Sequence, residues 1–295
     1  MVDGYRLPYL SRTPVTPKAV IVALHGFNDY SNAFTAFCDA MSRADIACFA
    51  YDQRGFGATQ QAGYWPQPRQ HQHDVRAVVA LLRARYPGLP VYVAGESMGG
   101  AVILDAWRSS AAIVQRPPNA AVLFAPAVWA RATQPWYQRL ALWIAVHTTP
   151  GWQPTGEGLG VQASDNIEAL RALGRDPLVI KASRIDTLYG LTNLMDQALE
   201  ASAEFTLPTA VFYGANDEVI PKAPTCAMLK QLEAGENALR FRLYEDGWHL
   251  LTRDLQAARL HDHVIAFLDQ VAPGQALPSQ AVDTVMWSEV AAYCQ

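Results

Sequence analysis

Three residues far apart in the chain, Ser97, Asp217 and His249, are of the types that together break an acyl bond. A serine hydroxyl is a weak nucleophile until a base takes its proton, and the base needs a third group to orient it. Ser97 stands in the pattern G-x-S-x-G at residues 95–99. Val91-Tyr92-Val93-Ala94 before it reads as a strand, and Val102-Ile103-Leu104 after it as a helix. A strand that turns sharply into a helix holds its tip residue at strained dihedrals, with φ > 0, and so projects the hydroxyl into a cleft. Gly95 and Gly99 have no Cβ to keep strand and helix apart. The new helix points its first N–H groups, that of Met98 among them, at the place where negative charge would develop.

The partners are expected in the order serine, acid, histidine, each at the end of a strand. Residues 209–213 read as a strand and lead into Gly214-Ala215-Asn216-Asp217-Glu218. Residues 239–244 read as another and lead into Glu245-Asp246-Gly247-Trp248-His249. Strand ends in a parallel sheet share one edge, so these loops converge. Asp217 is preferred as orienting acid, with Glu218 and Asp246 as competitors, and His249 is preferred among seven histidines. His25-Gly26-Phe27, after the apolar run 19–24, fits the other half of an oxyanion hole, with the backbone N–H groups of Phe27 and Met98 as donors. Asp52 also ends a strand, but such an Asp more often anchors its own loop. His71, His73, His261 and His263 form two His-x-His pairs. Neither pair has a carboxylate or thiolate at ligand spacing, so they read as solvated helix faces, and no metal site is expected.

The elements that must position these residues alternate. Apolar runs at 19–24, 46–51, 91–96 and 120–124 are separated by helix-like segments at 31–43, 72–86 and 98–115, after an opening strand at 5–10. This rhythm predicts a mostly parallel sheet with helices on both faces. It stops after Pro126 and resumes at residue 205, with a helix at 222–232 and another at 255–270. The simplest account is a first core part at 1–127, a cap insertion at 128–204, a second core part at 205–270, and a C-terminal extension at 271–295, weakly helical from 282 to 293, to which no role is assigned.

With 295 residues, half of them hydrophobic, the chain can bury one large core. Its net charge is −4, with no basic block suited to nucleic acid. Cys38, Cys48, Cys226 and Cys294 show no paired spacing and are expected as free thiols. No apolar signal segment follows Met1, which favours the cytoplasm and leaves open an upstream export or lipoprotein signal. Oligomeric state is not legible.

His25-Gly26-Phe27, Asp52-Gln53-Arg54-Gly55-Phe56-Gly57, Gly95-Glu96-Ser97-Met98-Gly99-Gly100, the Asn216-Asp217-Glu218 loop and Gly247-Trp248-His249 together resemble the α/β-hydrolase superfamily. Within it they are similar to the monoacylglycerol lipase and lysophospholipase group, also labelled serine aminopeptidase S33-like. Residues 175–179 and 184–191 are similar to cap segments of bacterial members. The resemblance covers about residues 3 to 269 and departs at Phe56, where the turn often carries His. It implies Ser97 as nucleophile, His249 as base, Asp217 as orienter and Phe27 and Met98 as oxyanion donors. It also implies amphiphilic esters of medium or long acyl chains as substrates, and no cofactor.

In the cap, Trp136, Leu140, Trp143, Ile144 and His147 recur at three- and four-residue intervals. Such a stripe packs the cap onto the main domain, lines an acyl tunnel, or rests peripherally on a lipid surface; packing is the simplest reading. Trp129, Trp143 and Leu188 are the candidate substrate contacts. Two other functions stay open. An aminopeptidase-like amide hydrolase would need a cap carboxylate, for which Glu157, Asp165, Glu168, Asp186 and Asp196 are available. A ligand-binding receptor on the same fold would turn over little.

Overall fold

The computed structural model describes residues 1–109, 116–156, 158, 160–235, 238–273 and 288–295. Seven strands form one sheet: β1 (Tyr9–Arg12), β2 (Ala19–Leu24), β3 (Ile46–Tyr51), β4 (Val91–Glu96), β5 (Ala121–Phe124), β6 (Thr209–Gly214) and β7 (Leu239–Tyr244). Their order is β1-β3-β2-β4-β5-β6-β7, with β1 antiparallel and every other pairing parallel. The helices are α1 (Thr35–Arg43), α2 (Gln70–Arg85), α3 (Met98–Ala106), α4 (Trp136–Thr148), α5 (Ile167–Arg175), α6 (Ile185–Ser202), α7 (Lys222–Ala234), α8 (Ala257–Gln270) and α9 (Val290–Tyr293). This is the expected open α/β sheet.

The sheet is buried on both faces, which is why its central strands read as unbroken apolar runs. Along β2, Val20, Val22 and Leu24 belong to one buried cluster that also holds Val79 of α2, Ile103 of α3, Leu199 of α6 and Met228 of α7. Ile21 and Ala23 point the other way, towards Phe34, Phe37, Val264 and Phe267 of the α1 and α8 layer. The parallel register carries β2, β4, β6 and β7 to a common carboxyl edge, where the loops after them gather.

Several boundaries differ from the sequence reading. The first strand is Tyr9–Arg12 rather than 5–10. Pro8 lacks an N–H and offers only its carbonyl, to Asp52 N at 2.8 Å, while Val2 and Tyr5 bridge each other. Segment 31–43 begins as a 3₁₀ turn before α1. Helix α3 ends at Ala106, and the expected continuation over 110–115 lies outside the described residues, as does the 282–287 part of the expected terminal helix.

The cysteines are the clearest correction. All four are paired, Cys38 with Cys48 and Cys226 with Cys294. The first pair forms because α1 lies against β3; the second joins α7 to the residue that follows α9. Neither spacing signals a bridge, since each pair meets only once a helix has packed.

Between β5 and β6 the chain inserts α4, α5 and α6. Helix α6 packs against α3 and α7, which flank the sheet, and α4 touches α6. No helix among the described residues is long and apolar enough to cross a membrane.

Candidate active site

Ser97 sits between the last residue of β4 and the first of α3, at φ 52° and ψ −114°. Such a conformation in a non-glycine residue costs about 1–3 kcal/mol and persists only where its surroundings enforce it. They do so through backbone bonds: Ser97 N–H donates to Phe124 O at 2.9 Å, and Ser97 O accepts from Ala127 N and Ala101 N at 2.9 and 3.2 Å. A Cβ on Gly99 would lie 2.1 Å from Leu24 O, and one on Gly95 2.5 Å from Gly99 C, so neither position admits a side chain. Met98 opens α3 and is fully buried.

The loop after β2 lies against this turn. A Cβ built on Gly26 would sit 3.4 Å from Ser97 Cβ, so Phe27 follows at the edge of the serine site. His25 locks the loop: its ring bonds Gly26 O at 2.8 Å and accepts from Gln53 N at 2.9 Å, while Gln53 Nε2 donates to His25 O. Burial keeps His25 neutral by lowering its pKa. Asp52 anchors loops as expected, accepting from Ser31 N and Ala58 N.

Asp217 and His249 meet. Asp217 Oδ2 bonds His249 Nδ1 at 2.8 Å, and Asp217 Oδ1 accepts from Val219 N and Ile220 N at 2.8 and 2.9 Å. The competing acids are occupied elsewhere: Glu218 accepts from Gln162 N, and Asp246 from Gln256 Nε2. Burial works against a charged His249, but the charge and hydrogen bond of Asp217, with Glu96 beyond, outweigh it and raise its pKa; Arg253 pulls it down. The His249 loop is also bound to the serine turn, since Thr252 Oγ1 donates to Glu96 Oε1 at 2.7 Å and Arg253 Nη2 to Glu96 Oε2 at 2.8 Å.

The insertion is tied to the loops after β2, β7 and β6. Ile180 N donates to Asn28 O at 3.0 Å, Leu250 N to Ala163 O at 2.9 Å, and Gln162 N to Glu218 Oε2 at 2.7 Å. Asp254 accepts from both Ser164 Oγ and Trp248 N, with burial pushing its pKa up to about 6. Ser97 itself is 8 % exposed.

Asp29, Glu96, Thr252, Arg253 and Asp254 were not singled out from sequence. A signal was present: a carboxylate inside an apolar strand, as at Glu96, must find a partner when buried.

The candidate substrate contacts are scattered. Trp129 packs partly buried against the core, and Leu188 is half-buried on α6. Trp143 is 55 % exposed on α4, with its ring against His147. No residue of α4 is buried, which overturns the expectation that its apolar stripe packs onto the main domain. Nor are His71 and His261 solvated: both are buried, and burial lowers their pKa to about 3 and about 4. Among the described residues no group of His, Cys, Asp and Glu is placed to hold a metal ion. A cavity of about 310 Å³ between α2 and α6 is lined by Trp65, Arg69, His71 and Asn193 among others, and by none of Ser97, Asp217 or His249.

The family model described as serine aminopeptidase, S33 matches residues 15–256. The chain belongs to this family. It is an α/β hydrolase, lipase- and esterase-like in its relatives. It is 26 % identical over 281 residues to the monoacylglycerol lipase of Mycolicibacterium smegmatis, covering 90 % of this chain and 94 % of that one. It is also 26 % identical to the monoglyceride lipase of Homo sapiens, over 81 % of this chain and 78 % of the other. Among solved structures, a soluble variant of Saccharomyces cerevisiae monoglyceride lipase in complex with a substrate analogue superposes with a TM-score of 0.75 at 18 % identity, covering 92 % of this chain and 93 % of that one. The monoacylglycerol lipase of Paleococcus ferrophilus gives 0.73 at 16 %, covering 90 % and 100 %.

Proposed function

We propose that the chain is a serine carboxylester hydrolase acting on monoacylglycerol- or lysophospholipid-like esters, with Ser97 as nucleophile, His249 as base and Asp217 as its orienter. The observation that carries this is the buried Asp217–His249 bond in a loop fixed to the residue before a strained serine. Asp217 holds Nδ1, leaving Nε2 of His249 to take the Ser97 proton as Oγ attacks the ester carbonyl. The oxyanion is met by the N–H groups of Phe27 and Met98, and loss of one such donor typically costs ~10²–10³ in rate. His249 then gives its proton to the leaving alcohol. Water, deprotonated by the same imidazole, clears the acyl-Ser97 ester, and the proton returns to the serine. The three side chains need no cofactor for these steps.

We take residues 128–204 as a cap over the site, with a peripheral lipid surface as the contact for the open face of α4. Trp136 and Trp143 there are 70 % and 55 % exposed. The two disulfides favour an oxidising compartment over the cytoplasm. Amide hydrolysis at a free amino terminus has less support, because the candidate carboxylates are engaged. Glu168 pairs with Arg171, Asp186 with Arg184 and Asp196 with Arg131, and Asp165 accepts from Leu255 N. Glu157 lies outside the described residues.

The test is labelling with a fluorophosphonate, with Ser97→Ala as control, followed by p-nitrophenyl esters of rising chain length. Labelling lost in the variant and a rate maximum at one acyl length are expected. Absence of both labelling and ester turnover would sink the hydrolase reading and favour a ligand-binding receptor.

A further inference from the structure

Three charged side chains lie beneath the site loops, and the steps above give none of them a task. Glu96 is fully buried, and Asp29 and Arg253 nearly so. Arg253 joins the two carboxylates, with Nη1 donating to Asp29 Oδ2 at 2.6 Å and Nη2 to Glu96 Oε2 at 2.8 Å. The remaining oxygens are taken: Asp29 Oδ1 accepts from Tyr30 N, and Glu96 Oε1 from Thr252 Oγ1. Two members come from loops of the site and the third, Glu96, is the last residue of β4. Asp29 lies just past Phe27, Glu96 just before Ser97, and Arg253 just past His249.

As a source of stability this is a poor arrangement. Burying three charges can offset most of their attraction, and apolar residues of similar volume often serve as well. What the arrangement supplies is direction. A guanidinium is a planar fork with donors at fixed angles, so two carboxylates bound to its two ends are held in one relative placement.

We propose that Arg253 is a positioning residue of the hydrolytic site, whose bridge between Asp29 and Glu96 sets the register of the loops carrying Phe27, Ser97 and His249. It touches no reacting atom and acts through the groups it holds. The inference rests on the reading of Ser97 as nucleophile and extends it. The bridge places base and oxyanion donors around one hydroxyl, where a displacement of about 1 Å can cost ~10²-fold in rate.

The experiment begins with wild-type protein and Ser97→Ala treated with a fluorophosphonate. Serine-dependent labelling establishes the nucleophile; its absence overturns that reading and this inference with it. Three variants follow: Arg253→Lys, Arg253→Met, and the charge-neutral combination Asp29→Asn, Glu96→Gln, Arg253→Met. The single Met variant leaves two carboxylates without a counter-charge and serves as the folding control; the combination removes that burden. Active sites are counted by labelling to completion, and kcat and KM for a soluble p-nitrophenyl ester are taken per labelled serine. The combination is expected to keep the wild-type melting temperature and lose at least ~tenfold in kcat per site, with KM changed far less. Arg253→Lys, which keeps the charge and loses the fork, should fall between. Wild-type kcat per site in the folded combination would overturn the proposal. If the combination does not fold, the same result in Arg253→Lys would do so.

Discussion

Two regions of this molecule break the usual partition of side chains, and in opposite senses. At the carboxyl edge of the sheet, Asp29, Glu96, Asp217, His249 and Arg253 are charged or titratable and lie inside the protein, each with a named partner. On α4, Trp136, Tyr137, Leu140, Trp143 and Ile144 are apolar or aromatic and lie outside, none of them buried. Charged groups are rarely buried unless paired, and large contiguous apolar faces are rarely left open. Helix α6, in the same insertion, shows the ordinary pattern: ten of its 18 residues are buried. The difference separates work done within the fold from work done at its surface. The edge loops are held together by bonds between their own side chains, whereas α4 shows an apolar face that none of the described residues buries.

The contrast breaks most directly at Asp217. Asp217→Asn should lower kcat for a soluble ester by about 10⁴-fold with little change in melting temperature, because the amide no longer holds His249 in the tautomer that leaves Nε2 basic. A small loss would mean that the edge loops are structural. In α6, Gly190→Leu is expected to destabilise by ~1–3 kcal/mol, read by denaturant titration, since even a Cβ there would lie 2.3 Å from the Trp65 ring. Acid titration sharpens the picture of the edge. His249 must be neutral to act as base and its pKa is raised, so kcat/KM should fall with decreasing pH about a midpoint above 6.5, the ordinary histidine value. A midpoint below that value would show burial outweighing Asp217. The smallest effect belongs to α4. Changing Leu140 and Trp143 together to Ser should alter stability by less than ~0.5 kcal/mol and leave soluble-ester kinetics unchanged. The same variant should lose binding to neutral phospholipid vesicles in a flotation assay. A large drop in stability would mean that the stripe packs after all.

The parts legible in the sequence are those whose signal is local. Strands β2 to β6 announce themselves as largely apolar runs because both faces of the sheet are covered there, whereas β7 at the edge alternates with Arg240 and Arg242; the candidates Ser97, Asp217 and His249 are conspicuous because each follows the end of a strand. The Arg253 bridge was invisible because its three members are separated by 67 and 157 residues and meet only when the sheet forms. The disulfides were missed for the same reason. Periodicity identified α4 as an apolar stripe but does not say what the stripe faces; packing was the natural inference, and the exposed side chains overrule it. For want of a carboxylate or thiolate at ligand spacing, His71 reads as part of a solvated helix face, while its ring in fact packs against Phe56 and Trp65.

The bond between Cys226 and Cys294 changes the topology of the chain's last quarter. It joins residues 68 apart and so makes a covalent ring. His249 and Arg253 lie within that ring; Ser97 and Asp217 lie outside it. A protease cutting once anywhere between the two cysteines would open the ring without releasing a fragment, and the two pieces would run together on a gel until reduced. His249, the base proposed above, is thus carried on a closed loop of chain rather than on a free arm, so a single cut there need not part it from the rest of the site.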